Sequence, residues 1–119
     1  MADKKRAVPR PLRKGEYEIR HASISAEKGW RDLVATQRNA MAQAWDHLTK
    51  TPDERDETRC YPLKGDLGSV TIKGVSYTRW QYKPTAAGSA RIWYVIVHIK
   101  GGGYVLIEDV HTHHPSQTL

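Results

Sequence analysis

The apolar and polar positions of this chain alternate most clearly in its last third. Residues 91–100 and 104–115 are two runs rich in β-branched, aromatic and polar residues, and Gly101–Gly103 separate them. β-branched and aromatic side chains suit a pleated sheet, and glycine readily adopts the positive φ of a tight reversal. The pattern predicts an antiparallel hairpin that brings Arg91 at the start of the first run beside His111–His114 at the end of the second.

The first half of the chain changes from a period of two to a helical period. Residues 16–22 alternate between apolar and polar positions, as a half-buried strand does. A helix is predicted to follow, because Ser23 or Ser25 can accept a backbone N–H at its start. A second helical pattern covers residues 38–50. The polar residues 36–39 favour a helical hairpin, although one long helix is also compatible with the pattern.

The segment between the helices and the last hairpin predicts short strands. Residues 53–58 are densely charged and predict a solvated loop, whereas residues 69–72 and 75–82 have strand-like patterns on either side of a Lys73–Gly74 turn. The order is a strand, two helices and a meander of strands. It predicts an α+β domain in which the helical hairpin packs on one face of a mainly antiparallel sheet of four to five strands.

Alternation also predicts which face of the sheet meets the helices. Ile92, Tyr94 and Ile96 share one face of their strand and form a uniformly apolar set. We expect this set to pack under the helix residues Trp30, Leu33, Met41 and Trp45. Arg91 and Trp93 then lie on the opposite, open face of the sheet.

The composition is that of one soluble globular domain. The chain has 119 residues, of which 39% are apolar and 27% are charged. No stretch approaches the ~20 apolar residues of a membrane span, and no apolar segment follows the basic start as in a secretory signal. The one cysteine, Cys60, leaves no internal disulfide. We therefore expect a cytoplasmic protein with a basic disordered arm over residues 1–14 and a single domain over residues 15–119.

The positive charge is unevenly distributed along the chain. The formal net charge is +6, and residues 1–14 hold six basic residues and one acidic residue. Residues 15–57 carry nine acidic and six basic residues, whereas residues 58–119 carry seven basic and three acidic residues. The helical part is thus acidic and the sheet part basic, as expected if the sheet faces a phosphate-bearing partner.

Several short motifs follow one another in an order that is known from a protein family. Over residues 15–116 the chain resembles the RelE/ParE superfamily of bacterial type II toxins. The resemblance rests on the order of the elements and on the motifs Trp30-Arg-Asp-Leu33, Trp45-Asp-His-Leu48 with Thr51-Pro52, Leu63-Lys-Gly-Asp-Leu67, Arg91-Ile-Trp-Tyr-Val95 and the histidine-bearing carboxyl end.

The resemblance implies a RelE-like fold and a small toxin that is silenced by an antitoxin from the same operon. RelE-like members cleave mRNA in the ribosomal decoding site, whereas ParE-like members act on DNA gyrase. The expected partners are therefore a cognate antitoxin in a hetero-oligomer, mRNA and the ribosome with its rRNA, and no membrane. In the family, Arg91 matches a third-strand arginine, and the lysine pair of the preceding strand is reduced here to Arg79.

The chemistry of RNA cleavage fits the residues of the predicted corner. Transesterification needs a base for the 2′-hydroxyl, a cation for the phosphorane and an acid for the departing 5′-oxygen, and it needs no metal or cofactor. Arg91 would hold the phosphate, and Arg79 is a second candidate clamp. His113 is the first candidate for proton transfer and His111 the second, because a histidine pKa near ~6.5 suits both roles.

Further residues are expected to contact RNA through charge or stacking. They are Lys64, Lys73, Lys83, Trp93 or Trp80, and His114.

Other interpretations of the same residues remain open. His111, His113 and His114 could bind a metal ion with help from Glu108 or Asp109, or they could be an inert surface. The arginines could be structural residues paired with those same carboxylates. At the level of the whole protein, the alternatives are a ParE-like gyrase inhibitor without nuclease activity and a plain nucleic-acid-binding module.

Overall fold

Five strands form one mixed sheet on which two helices pack. The structure, a computed structural model, describes residues 7–85 and 87–112. Its elements are β1 (Glu18–His21), α1 (Ile24–Thr36), α2 (Arg38–Lys50), β2 (Cys60–Pro62), a 3₁₀ turn (Gly65–Gly68), β3 (Ser69–Ile72), β4 (Val75–Thr78), β5 (Trp80–Tyr82), β6 (Arg91–Ile99) and β7 (Gly102–His111). The strand order is β1-β7-β6-β5-β2, with β1 parallel to β7 and the other neighbours antiparallel, while β3 and β4 form a separate two-stranded sheet. The predicted α+β class and mainly antiparallel sheet are confirmed.

The helices begin and end where local chemistry allows. The Ser23 hydroxyl accepts the Ala26 N–H at 3.0 Å, which satisfies one of the orphan donors at the start of α1. Gln37 has φ −140° and ψ 55° and therefore interrupts the helical backbone between α1 and α2. The prediction of two helices rather than one is confirmed. Neither helix in the described ranges is long and apolar enough to cross a membrane.

The strand predicted over residues 75–82 is divided into β4 and β5, because the chain leaves one sheet and enters another at Arg79. The Arg79 N–H donates to the Gly68 carbonyl, and the Arg79 carbonyl accepts from the Leu63 N–H. Both backbone groups are therefore used by the segment around the 3₁₀ turn instead of a neighbouring strand. Before this point β4 pairs with β3 through a Lys73–Gly74 turn, whose φ angles of 51° and 80° suit a tight hairpin.

One face of the five-stranded sheet carries the apolar core, and we call it the helix-covered face. Ile92, Tyr94, Val105 and Ile107 lie on it, and each is 0% exposed. The helices cover these side chains with Ala26, Leu33, Met41, Ala44 and Leu48, and Trp30 and Ile96 pack at the margin. The Tyr94 hydroxyl donates to the Pro52 carbonyl at 2.7 Å, so the polar atom in this core is satisfied. The predicted orientation of Ile92, Tyr94 and Ile96 is confirmed.

The opposite face of the sheet, which we call the polar face, is not open as predicted. It presents Arg91, Trp93 and Gln81, which are 7%, 5% and 3% exposed. The small β3–β4 sheet covers part of this face, because β4 packs across β6. The alternation in the sequence predicted the correct face for each of these residues. It could not show that a second layer of structure packs on the polar face.

The segment before the domain is attached to it through Arg10. Residues 7–14 contain no helix or strand, and residues 1–6 lie outside the described residues. The Arg10 guanidinium donates to both carboxylate oxygens of Glu16 at 3.1 Å and lies 4.9 Å from the centre of the Trp45 ring. The hydrogen bonds from Arg10 lower the pKa of Glu16 to about 2. Trp45 was predicted to be in the core, but it is only partly buried and packs under Arg10 instead.

Candidate active site at the end of the β6–β7 hairpin

The hairpin brings Arg91 and His111 together as predicted. The chain reverses around Gly101, whose φ of 82° is readily adopted by glycine, and Arg91 is then the direct partner of His111 across the two strands. Directly opposed residues of an antiparallel pair project from the same face of a sheet. Arg91 and His111 therefore share the polar face, on the side of the sheet away from the helices.

A bulge in β7 gives this face additional polar groups. Trp93 pairs with Asp109 and Tyr94 pairs with Ile107, so Glu108 is the extra residue between them. A bulge of this kind bends a strand and redirects one side chain. Because of the bulge, Asp109 stays on the face of Trp93 while Glu108 is also available to the polar face.

The guanidinium of Arg91 is held by the main chain that precedes β6. Its Nη1 donates to the Gly88 carbonyl at 2.9 Å and to the Ala90 carbonyl at 2.8 Å. These neutral acceptors satisfy part of the hydrogen-bonding capacity of a guanidinium group that is nearly buried. The expectation of an exposed arginine at this corner is therefore wrong, although its charge and its position opposite His111 are as expected.

His111 is partly buried against Trp93. Its ring meets the edge of the Trp93 ring with centroids 4.5 Å apart and an interplanar angle of 68°. The Nε2 atom is buried and has no hydrogen-bond partner among the described residues. Burial lowers the pKa of His111 despite the opposing charge of Asp109. A neutral imidazole near neutral pH is the form that a general base requires.

The other two histidines of the predicted cluster, His113 and His114, lie outside the described residues. The predicted proton-transfer role of His113 and the predicted RNA contact of His114 therefore stay predictions. Among residues 7–85 and 87–112, no three His, Cys, Asp or Glu side chains are grouped as metal ligands would be. Of the two predicted proton-transfer residues, His111 lies within the described residues and His113 does not.

Arg79 forms an ion pair on the polar face instead of facing solvent. Its Nε donates to Glu108 Oε1 at 2.8 Å, and its Nη1 donates to the Leu67 carbonyl at 3.2 Å. The two side chains are 15% and 14% exposed, and the guanidinium carbon lies 5.5 Å from the centre of the Trp93 ring. This agrees with the alternative that Arg79 is structurally paired with Glu108. As a phosphate clamp, Arg79 would first have to leave that carboxylate.

A hydrogen-bonded row that was not predicted from the sequence crosses the polar face. Trp93 Nε1 donates to Gln81 Oε1 at 2.8 Å, and Gln81 Nε2 donates to the Tyr61 hydroxyl at 3.1 Å. Trp93 pairs with Gln81 across β6 and β5, and Gln81 pairs with Tyr61 across β5 and β2. Alternation along a strand puts Gln81 on the same face as Arg79, and this position of a glutamine was the signal in the sequence. Tyr61 gave none, because β2 has only three residues.

The predicted RNA-contact residues are spread over two places. Lys64 and Lys83 flank Tyr61 at the β2 edge, where the Lys83 ammonium lies 5.2 Å from the centre of the Tyr61 ring. Lys73 lies in the β3–β4 turn and lines a cleft of about 630 Å³ between that hairpin and the sheet. Asp109 also lines this cleft, so it is not uniformly basic.

Trp93 and Trp80 are packed differently. Trp93 is 5% exposed and is enclosed by His111, Gln81 and Arg79. Trp80 stacks on Tyr94 toward the helix-covered face, with the planes 20° apart. Trp93 is thus too enclosed to stack a base without a rearrangement, and base stacking on Trp80 stays a prediction.

Comparison with known proteins adds no relative to this chain. No family model, no curated protein and no solved structure matches it at a significant level. The resemblance to the RelE/ParE superfamily therefore depends on the short motifs and on the order of the elements along the chain.

Proposed function

We propose that this protein is a RelE-like toxin of a type II toxin–antitoxin system that cleaves ribosome-bound mRNA as a metal-independent endoribonuclease. The observation that supports the proposal most is the pairing of Arg91 with His111 on the polar face. A permanent cation and a neutral imidazole at one corner are the groups that phosphodiester cleavage by a 2′-hydroxyl requires. The order of strand, two helices and meander, with its basic sheet half, is in keeping with the proposal.

In the proposed reaction the buried Nε2 of His111 becomes accessible when the substrate binds, and it removes the proton of the 2′-hydroxyl. The 2′-oxygen attacks the adjacent phosphorus, and the bond from phosphorus to the 5′-oxygen breaks, which leaves a 2′,3′-cyclic phosphate on one product. The 5′-oxygen departs with a proton from an acid, for which His113 stays the candidate. Arg91 faces the phosphorane and stabilises the negative charge that develops on its oxygen atoms.

The substrate phosphate has to replace main-chain acceptors at Arg91. The guanidinium is 7% exposed and is bonded to the Gly88 and Ala90 carbonyls. A phosphate oxygen makes a shorter and stronger charge-assisted bond to arginine than a neutral carbonyl does. In the proposal, the segment before β6 shifts when a phosphate binds, and a phosphate oxygen takes the place of these carbonyl oxygens at Arg91.

The proposal also specifies where the protein acts and what controls it. It acts in the cytoplasm, where the mRNA and the ribosome with its rRNA are its targets. A cognate antitoxin in a hetero-oligomer keeps it silent, because an unregulated mRNA interferase would stop growth.

The test is induced expression of single variants, with growth and mRNA cleavage as the measurements. We expect Arg91→Gln and His111→Asn each to relieve growth arrest and to lower cleavage by roughly 10²- to 10⁴-fold, the usual contribution of one proton-transfer or charge-stabilising group. His98→Asn and Arg38→Gln are the matched controls, because both side chains are exposed and lie away from the corner. Circular dichroism and thermal unfolding check that the variants fold. Full toxicity and cleavage in both corner variants would overturn the assignment.

A second candidate is a ParE-like toxin that inhibits DNA gyrase by binding. It is favoured by the internal pairing of both arginines, Arg79 with Glu108 and Arg91 with carbonyl groups. Inhibition by binding needs no proton transfer, so the His111→Asn variant would arrest growth with intact mRNA. A gyrase supercoiling assay with the purified protein then separates the two candidates.

A further inference from the structure

The β2 edge of the sheet carries a small basic hollow that is separate from the Arg91–His111 corner. We call it the β2 hollow; it has a volume of about 200 Å³ and is lined by Arg55, Glu57, Tyr61, Pro62 and Lys64. Lys83 lies beside it, over the Tyr61 ring. Arg55 pairs with Glu57 at 3.3 Å, so the lysines provide the charge that is not neutralised within this group. The hollow therefore favours an anionic ligand.

The direction of the hydrogen bonds across the polar face determines what Tyr61 can do there. Trp93 Nε1 can only donate, so the atom of Gln81 that faces it must be the amide oxygen. The Gln81 amide nitrogen then faces Tyr61 and donates to its hydroxyl oxygen. Because that oxygen is already an acceptor for Gln81, the phenol proton is free to donate elsewhere. The row thus presents the Tyr61 O–H as a donor at the β2 edge.

Burial makes this arrangement definite. Gln81 is 3% exposed and Trp93 is 5% exposed, so reversing the amide would leave two donors facing each other without water. Only the contact with Trp93 would be lost on reversal, because the Tyr61 hydroxyl could then donate to the amide oxygen. Trp93 and Gln81 therefore fix the orientation of the Tyr61 hydroxyl from inside the domain.

We propose that the β2 hollow binds a backbone phosphate of single-stranded RNA, with Tyr61 donating to a phosphate oxygen and Lys64 and Lys83 supplying the charge. This inference rests on the proposed function and extends it, because the hollow would hold the same strand at a distance from the reacting phosphate. β2 is three strands from β7, about 14 Å at ~4.8 Å per strand. The lysines neutralise phosphate, and the oriented hydroxyl adds a directional contact that an ammonium group does not give.

The test is the affinity of the full chain for a labelled oligouridine of about twelve nucleotides, measured by fluorescence anisotropy over a range of salt concentrations. We expect Tyr61→Phe to weaken binding roughly tenfold, because it removes one hydrogen bond to a charged group. Lys64→Gln and Lys83→Gln should each weaken binding and lower the slope of log affinity against log salt by roughly 0.7. Tyr104→Phe and Lys28→Gln are matched controls, because their side chains lie outside the β2 hollow.

The outcomes separate this inference from the proposed nuclease activity. Wild-type affinity and salt slope in all three hollow variants would overturn the inference, whatever their toxicity. Absence of oligouridine binding by the wild-type chain, or binding of an acidic peptide in its place, would overturn it as well. RNA binding that depends on Tyr61 and the two lysines would support the proposed phosphate site. If the Arg91 and His111 variants were fully active as well, the proposed catalytic role of that corner would be contradicted.

Discussion

The two faces of the central sheet are both buried, but by different kinds of contact. On the helix-covered face, Ile92 and Ile107 are surrounded by apolar side chains of α1 and α2. On the polar face, Gln81 and Trp93 are nearly as deeply buried, yet their polar atoms are hydrogen-bonded to each other. The first face gains its stability from area removed from water, and the second avoids the cost of burying polar groups.

This difference shows where function is to be sought. An apolar face needs only the correct volume, whereas a buried polar face is stable only if its groups have partners. Arg91 meets neutral carbonyl groups, and His111 Nε2 meets no partner among the described residues. The end of the polar face is therefore less completely satisfied than its middle, and that end carries the candidate active site.

The largest expected effect lies on the helix-covered face. Ile107→Ala should lower the free energy of unfolding by roughly 2–5 kcal/mol, because the side chain is fully buried and its removal leaves a cavity. Urea denaturation followed by circular dichroism measures the change. Ile99→Ala, at an exposed position of β6, is the matched control and should cost far less. A loss for Ile107→Ala as small as the control's would contradict the account of this face.

A smaller effect is expected from the ion pair on the polar face. Glu108→Ala removes the partner of a mostly buried Arg79 and should lower the free energy of unfolding by roughly 1–3 kcal/mol. The double variant Arg79→Met with Glu108→Leu should recover much of that loss, because it leaves no unpaired charge. The same urea experiment compares the single and double variants. The account would be contradicted if the free energy of unfolding fell by the same amount in three variants, namely Arg79→Met, Glu108→Ala and the double variant. Burial, and not the ion pair, would then determine the stability of this part of the sheet.

The smallest effect is a decrease in stability between pH 8 and pH 5. Burial lowers the pKa of His21, His47 and His111 below the usual 6.5. As the pH falls through 6.5, the unfolded chain therefore binds more protons than the folded chain. The free energy of unfolding is highest above this pH and decreases progressively as the pH approaches the lowered pKa values of the folded-state histidines. The carboxylate of Glu16 titrates in a lower window, between its ordinary 4.5 and about 2.

The midpoint of urea denaturation at several pH values checks this prediction. His47→Asn and His111→Asn should each flatten the pH dependence, because each removes a histidine whose pKa is lowered by burial. A midpoint that rises as the pH falls from 8 to 5 would contradict the expected loss of stability on protonation of the buried histidines.

Much of this contrast between faces could be predicted from the sequence, because it depends on local periodicity. The register that opposes Arg91 and His111 follows from a glycine turn between two strands, and the orientation of Ile92 follows from alternation. The cover on the polar face could not be predicted in that way. It depends on the break at Arg79, which is made by hydrogen bonds to Gly68 and Leu63 that no local pattern encodes. Binary patterning shows which side chains share a face but not whether a second layer packs on it.

The central claim is that Arg91 and His111 together bind one phosphate, and histidine-selective NMR of the full chain tests it most directly. Uridine 3′-monophosphate is titrated into the wild-type protein and into Arg91→Gln while the imidazole signal of His111 is followed against pH. We expect the nucleotide to raise the pKa of His111 in the wild-type protein, because a nearby anion favours the imidazolium form, and to leave it unchanged in Arg91→Gln. An unchanged His111 pKa in the wild-type protein at saturating nucleotide, or the same rise in Arg91→Gln, would contradict the claim.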